Sequence, residues 1–239
     1  GTTSDVGMLL NGFPRDSSVT VEIGGVRTNF RMPDVLAIGL GGGSIVRDDG
    51  ARIGPDSVGY ELTEKALVFG GNILTTTDIV VAAGLVNIGD RSKVAHLSPS
   101  VIETAIVTMH QMVDEAVDKM KTSSEPLPVI LVGGGAVLIS RPLASASQII
   151  KPEHFSVANA IGAGIAQVGG EVDRVFSLEG LGRDAALAEA KAEAIEKTVA
   201  AGAKRETVQV TDIEEVPLAY LPSSATRIRV KAIGDLEVL

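Results

Sequence analysis

Val129-Ile130-Leu131-Val132-Gly133-Gly134-Gly135-Ala136-Val137-Leu138-Ile139 is a continuous apolar run that stops at three glycines. Such a run reads as a buried strand feeding a tight loop. Glycines at that point let the backbone approach a flat or charged ligand with no side chain in the way. The carboxyl end of a strand is also where open α/β sheets bind ligands. A plain turn explains the same three glycines. The stretch therefore gains meaning only beside two others, residues 1–7 and 158–167.

Gly1-Thr2-Thr3-Ser4-Asp5-Val6-Gly7 opens with small and hydroxyl-bearing residues and runs into a strand. Hydroxyls beside glycine backbone cradle phosphates, and a carboxylate such as Asp5 holds Mg²⁺ directly or through water. A frayed polar start is the plainer alternative. Asn11-Gly12 is a two-residue hairpin dipeptide, and Val19-Thr20-Val21-Glu22-Ile23 alternates as a half-buried strand does. Gly24-Gly25 marks a further turn. Asp34-Val35-Leu36-Ala37-Ile38-Gly39-Leu40-Gly41-Gly42-Gly43-Ser44 is a second apolar strand ending in glycines. A dinucleotide fold requires a helix after such a loop, whereas Val46-Arg47-Asp48-Asp49-Gly50 is a turn signal. No Gly-Lys-Ser/Thr closes any glycine run, which excludes a Walker-type loop.

Asp78 follows Thr75-Thr76-Thr77 and precedes an apolar helix over residues 79–85. Thr77 or Asp78 reads as its cap, and a substrate or metal role for Asp78 is compatible with that. Ser98-Pro99 opens a long helix to about Lys121, its buried face carrying Ile102, Ala105, Ile106, Met109, Val113, Ala116, Val117 and Met120. His96, His110 and His154 show no ligand spacing, so each reads as structural. Residues 157–167 read as a small-residue helix. Gly162 and Gly164 each cost about 1 kcal/mol there against alanine, which predicts close approach of another backbone. From residue 171 onward a strand over 172–178, a charged helix over 184–201 and strands over 206–220 and 226–233 make a small α/β appendage.

The chain has 239 residues, is 45% hydrophobic and carries 27 glycines. That is enough for one large domain or a domain with an appendage. Its formal charge of −9 lacks the basic face that nonspecific nucleic-acid binding needs. No cysteine is present, so disulfides, a thiol nucleophile and thiolate metal sites are excluded. No run approaches the ~20 apolar residues of a membrane-spanning helix, and no signal peptide is visible. A soluble, cytoplasmic protein with no membrane partner is the expectation.

In combination, these stretches resemble the actin-like ATPase superfamily. Gly1-Thr2-Thr3 with Asp5 is similar to its second phosphate loop, Val129 to Ala136 to its adenosine motif, and Ala158 to Ala166 to its hinge helix. Gly1-Thr2-Thr3-Ser4-Asp5-Val6-Gly7, Ile38-Gly39-Leu40-Gly41-Gly42-Gly43-Ser44-Ile45 and Thr77-Asp78 resemble the hydantoinase/oxoprolinase family, in its ATP-dependent, hydantoinase A-like branch, well over about residues 1–175. The resemblance implies an α/β, ribonuclease H-like lobe over residues 1–170 and a small appendage over 171–239. It implies ATP- and Mg²⁺-dependent opening of a cyclic amide, a hydantoin or 5-oxoproline. Thr2 and Thr3, with Gly1, would meet the phosphates; Asp5 would help hold Mg²⁺ as a catalytic residue; Gly133, Gly134, Gly135 and Ala136 would pack on adenosine. Gly41, Gly42, Gly43, Ser44 and Asp78 would face the amide or the transferred phosphate.

Two departures from the family pattern shape the expectation. Glu61-Leu62-Thr63-Glu64 stands where longer members carry a Pro-Gly-Pro and cysteine segment, which marks a shorter branch. The family's first phosphate loop and the acidic residue before the second are missing, since residue 1 falls inside that second loop. The expected partner is therefore the amino-terminal half of the same protein, which would supply the preceding strand. A hydantoinase B-type subunit is a further candidate partner. A nucleotide-binding regulatory module and a sugar- or acyl-kinase-like phosphotransferase are the alternatives on the same fold.

Overall fold

A computed structural model of the chain describes residues 1–10, 12–17, 22–23, 26–27, 32–219 and 225–237. The chain is α/β and divides into two compact units, Gly1–Ala158 and Asn159–Leu239. In chain order the first unit carries β1 (Ser4–Gly7), β2 (Leu9–Leu10), β3 (Phe13–Pro14), β4 (Glu22–Ile23), β5 (Val26–Arg27) and β6 (Val35–Ile38). After these come β7 (Ser44–Arg47), β8 (Arg52–Ser57), α1 (Leu62–Lys65), α2 (Thr76–Ala82), α3 (Pro99–Met120), β9 (Leu127–Ile130) and β10 (Ala146–Ile150). The sheets are two-stranded: β1 with β6, β2 with β3, β4 with β5, β7 with β8, and β9 with β10, the last pair parallel.

The hairpin joins Leu10 to Phe13 around Gly12, whose φ is +85°. Asn11, the run 18–21 and Gly24-Gly25 lie outside the described residues. The turn signal at 46–50 is met by a short 3-10 turn, Asp48–Gly50. Its Gly50 has φ +94°, and an added Cβ would sit 2.6 Å from the Val101 carbonyl oxygen and 2.7 Å from the Ala105 nitrogen. Only glycine lets the turn press on α3 this closely.

α3 is the axis of this unit's core. Ser98 caps it by accepting from the Val101 N–H, and Pro99 is its first residue. Ala105, Ile106, Met109, Val113 and Val117 are buried with Leu40, Val46, Ile53, Ile79, Val80, Leu138 and Leu143. The periodicity is the reason: apolar residues at three- and four-residue spacing make one continuous stripe.

The expected buried strand at 129–132 is different in the structure. β9 alternates, with Val129 and Leu131 packed toward the core while Ile130 and Val132 are 49% and 51% exposed. β10 is its one neighbour among the described residues, and only one face of this pair is covered, so a two-sided apolar run is half used.

At the division between units lies α4 (Ala158–Gly164), shorter than expected. Its glycines do not meet another backbone: no described atom lies within 4 Å of a Cβ added at Gly162 or Gly164. The second unit contains β11 (Gln167–Phe176), α5 (Arg183–Ala200), β12 (Gln209–Pro217) and β13 (Thr226–Asp235). β13 is central, antiparallel to both neighbours. Tyr220, expected at the end of a strand, is outside the described residues. α5 lays Ala186, Ala190 and Ala194 on Val172, Phe176, Ile228, Val230 and Ala232. The alternate residues of β13 lie on the opposite sheet face, where Arg227 pairs with Asp173 and Arg229 with Glu171.

Glycine substitutions separate close approach from open space. Gly50→Ala is predicted to destabilise by more than about 2 kcal/mol, since both its φ and its surroundings reject a Cβ. Gly162→Ala is predicted to be neutral or stabilising by up to about 1 kcal/mol. Urea unfolding of the two variants checks this; equal effects would contradict it.

Candidate functional site

The site is built from the first turn of α2. Thr75 is the cap, a correction to the expectation of Thr77 or Asp78, and Asp78 is the third helical residue of a reciprocal capping box. The helix begins earlier because Thr75 is held by strand pairing: Ile45 bridges Thr75, and the Val46 N–H donates to the Leu74 carbonyl. Asp78 is fully buried. One carboxylate oxygen accepts from the Val68 N–H at 2.8 Å; the other accepts from the Thr75 N–H at 2.7 Å and the Thr75 hydroxyl at 2.8 Å. Both oxygens are thus engaged within the protein.

Thr76 and Thr77 extend this anchor to the glycine loop. The Thr76 hydroxyl donates to the Gly41 carbonyl, and the Thr77 hydroxyl to the Gly42 carbonyl at 2.8 Å. The Thr77 N–H also reaches the Gly42 carbonyl, at 3.1 Å. Ser44 ties the loop to itself: its hydroxyl accepts from the Gly41 N–H at 2.9 Å and donates to the Gly39 carbonyl at 3.2 Å. On another side the Val58 N–H donates to the Gly43 carbonyl at 2.9 Å.

Two further stretches meet this loop. A Cβ at Gly41 would lie 2.2 Å from the Gly1 carbonyl oxygen, so the start of the chain runs directly against the loop. The Ser4 hydroxyl donates to the Leu40 carbonyl at 2.7 Å, and a Cβ at Gly135 would lie 3.9 Å from that same hydroxyl oxygen. Residues 1–4, 39–44, 75–78 and 133–136 therefore gather in one place. Gly1, Thr2 and Thr3 are exposed, and Asp5 is exposed on β1, opposite Ala37 of β6. Gly133 has φ +83°, and a Cβ at Gly133 or Gly134 would enter open space. Among the described residues no group of three or more His, Cys, Asp or Glu side chains could hold a metal ion.

The segment after the third glycine stretch is clamped to α3. Glu103 takes a bidentate pair from Arg141 at 2.7 and 2.6 Å. His110 Nε2 accepts from the Ser140 and Arg141 N–H groups, both at 3.0 Å. Those two donors fix the tautomer, so Nδ1 carries the proton and donates to the Ile106 carbonyl at 2.7 Å. Asp114 accepts from the Ala144 and Ser145 N–H groups and from the Ser145 hydroxyl. Burial works to raise the Asp114 pKa, but the hydrogen bonds from Ser145 and Ala144, with the Lys121 charge, hold it below the ordinary aspartate value. Sequence reasoning treats His110 as structural, reads Ser4 only as one of the hydroxyls of residues 1–7, and passes over Asp114, Thr75 and Thr76. The run of three threonines is the available signal for the last two.

Asp78→Ala is predicted to cost about 3 kcal/mol, because it strands two buried N–H donors. Asp5→Ala, at an exposed position, is predicted to stay within about 0.5 kcal/mol of the parent; chemical denaturation of both checks the contrast. Asp114 gives a pH test. Its folded pKa is lowered, so its stabilisation is present above the unfolded value near ~4 and is lost as pH falls through the folded value. Asp114→Asn should therefore destabilise at pH 7 and lose that effect progressively as pH falls below the ordinary aspartate value and through the lowered folded one. An undiminished effect in acid would contradict the assignment.

Residues 1–93 match the family model described as Hydantoinase/oxoprolinase, which is narrower than the resemblance to about residue 175. No curated protein matches the chain. Among the described residues no helix is long and apolar enough to cross a membrane.

Proposed function

We propose, from the hydantoinase/oxoprolinase match over residues 1–93, that the chain is part of an ATP-dependent hydrolase opening cyclic amides of the hydantoin or 5-oxoproline type. The observation that carries this reading is the gathering of three glycine-bearing stretches, 1–4, 39–44 and 133–136, around the threonines of α2. In this reading the first unit is a lobe of the actin-like ATPase kind.

The amide carbon of a lactam is a poor electrophile. Transfer of a phosphoryl group from ATP to the amide oxygen, with ADP leaving, makes it a good one. One water adds to that carbon, and the ring nitrogen takes a proton and leaves, so that the C–N bond opens to an acyl phosphate. A second water releases phosphate and the free carboxylate. Such chemistry depends on positioning and on neutralising charge. Gly1, Thr2 and Thr3 offer exposed backbone and hydroxyls for the phosphates. Gly133, Gly134 and Gly135 offer a surface against which adenosine lies, with Ala136 itself buried, and the open space at Gly133 and Gly134 fits a flat ligand. Gly41 to Ser44 face the amide or the transferred group, and Asp78 acts on them through the threonines. Mg²⁺ supplies charge neutralisation on the phosphates when bound. Asp5 as a single carboxylate fits that ion, which takes most of its ligands from phosphate oxygens and water.

The partner in this reading is a hydantoinase B-type subunit. The cytoplasm, where ATP is available, is the proposed location.

Phosphate release from ATP by the assembled protein, with and without a hydantoin or 5-oxoproline, tests the reading. The expected result is lactam-stimulated release that falls at least tenfold in Thr2→Val and Thr3→Val. Asp5→Asn should raise the Mg²⁺ concentration needed for half-maximal rate. ATP turnover indifferent to every lactam, or ring opening without ATP, would sink it.

A further inference from the structure

We infer that the backbone N–H groups of Gly42 and Gly43 form a two-donor seat for an anionic oxygen of the phosphoryl or oxyanion class, aimed by Thr76 and Thr77. Peptide geometry sets their direction. In a trans peptide the carbonyl and the following N–H point in opposite directions. The Gly41 carbonyl is drawn to the Thr76 hydroxyl, so the Gly42 N–H points away from α2. The Gly42 carbonyl is drawn to the Thr77 hydroxyl and N–H, so the Gly43 N–H points away from α2 as well. Two successive N–H groups on one side of a loop make a concave anion seat.

Among the described residues neither N–H has an acceptor, although Gly43 is buried and Gly42 only partly exposed. The neighbouring groups are all accounted for. The Ser44 N–H reaches the Gly41 carbonyl, the Gly41 N–H reaches the Ser44 hydroxyl, and the Gly43 carbonyl accepts from Val58. Buried backbone donors are rarely left without a partner. The glycines are also tightly surrounded: a Cβ at Gly42 would lie 3.0 Å from the Thr77 hydroxyl oxygen, and one at Gly43 2.8 Å from the Ser57 hydroxyl oxygen. Hydroxyls around the loop thus occupy the space a side chain would need, and the donors are held without a mobile part. The Asp78 carboxylate sets Thr75, and through the first turn Thr76 and Thr77, while its own charge is spent on Val68 and Thr75. In this arrangement Asp78, Thr76 and Thr77 are positioning residues.

The identity of the oxygen rests on the reaction proposed above; the seat itself does not. The test is a titration of the ¹⁵N-labelled chain with inorganic phosphate, following amide proton shifts against a sodium chloride control of equal ionic strength. The Gly42 and Gly43 amide protons are expected to move downfield together and saturate. Thr76→Val and Thr77→Val should weaken the phosphate response at least fivefold, and Thr76→Ser and Thr77→Ser should restore it, with the remaining spectrum unchanged. Unmoved Gly42 and Gly43 signals, or shifts no larger than those of glycines elsewhere (an adventitious ion only), would overturn the seat. Lactam-stimulated ATP turnover without any Gly42 and Gly43 shift also overturns it while leaving the reaction standing. Saturable shifts in a protein that hydrolyses no lactam keep the seat and discard the reaction.

Discussion

A buried carboxylate with three donors around it is the constraint on which the candidate site depends. Asp78 lies fully out of solvent, where an unpaired charge is costly, and each of its oxygens is met by a neighbour. That requirement fixes Thr75 at the helix start, which in turn sets Thr76 and Thr77 beside the carbonyls of Gly41 and Gly42. A glycine loop is intrinsically the most mobile kind of segment. Here its carbonyls are tied on one side to α2 and on the other to Val58, so it has little freedom left.

α3 holds the remainder of this unit in relation to that loop. One face buries the apolar stripe against Leu40, Ile79 and Leu138, which lie beside the glycine loop, on α2 and after the third glycine stretch. Another presents Glu103, His110 and Asp114 to residues 140–145. The segment beyond Gly133 to Leu138 is therefore fastened through polar bonds as well as through the packing of Leu138, Ile139 and Leu143, and Gly50 through close contact together with a hydrogen bond from the Thr108 hydroxyl to its carbonyl. Packing and hydrogen bonding act together along a single helix.

Much of this is legible in the residues because it is local. The Ser98-Pro99 start and apolar period of α3, the turn at 48–50 and the hairpin around Gly12 each rest on neighbours within a few positions. The family resemblance is legible too, and the match covers the first 93 residues. What escapes is non-local. The cap moves to Thr75 because Ile45 of β7 pins that residue from far along the chain. The run 129–132 looks buried on both faces, yet composition cannot report that among the described residues β9 has one neighbour and one covered side. Gly162 and Gly164 suggest a close backbone, but glycine content states a permission and supplies no partner. Ser4, Asp114 and Ser145 give no periodic signal at all, since each matters only through a residue distant in sequence.

Asp78 thus governs a loop remote in sequence through the threonines of α2. Amide hydrogen exchange over residues 39–44, compared between the parent and Asp78→Asn, addresses this coupling most directly. Exchange in the loop is predicted to accelerate at least tenfold in the variant, at a temperature where α3 and the second unit keep their protection. Unchanged exchange over 39–44, beside a loosened first turn of α2, would contradict it.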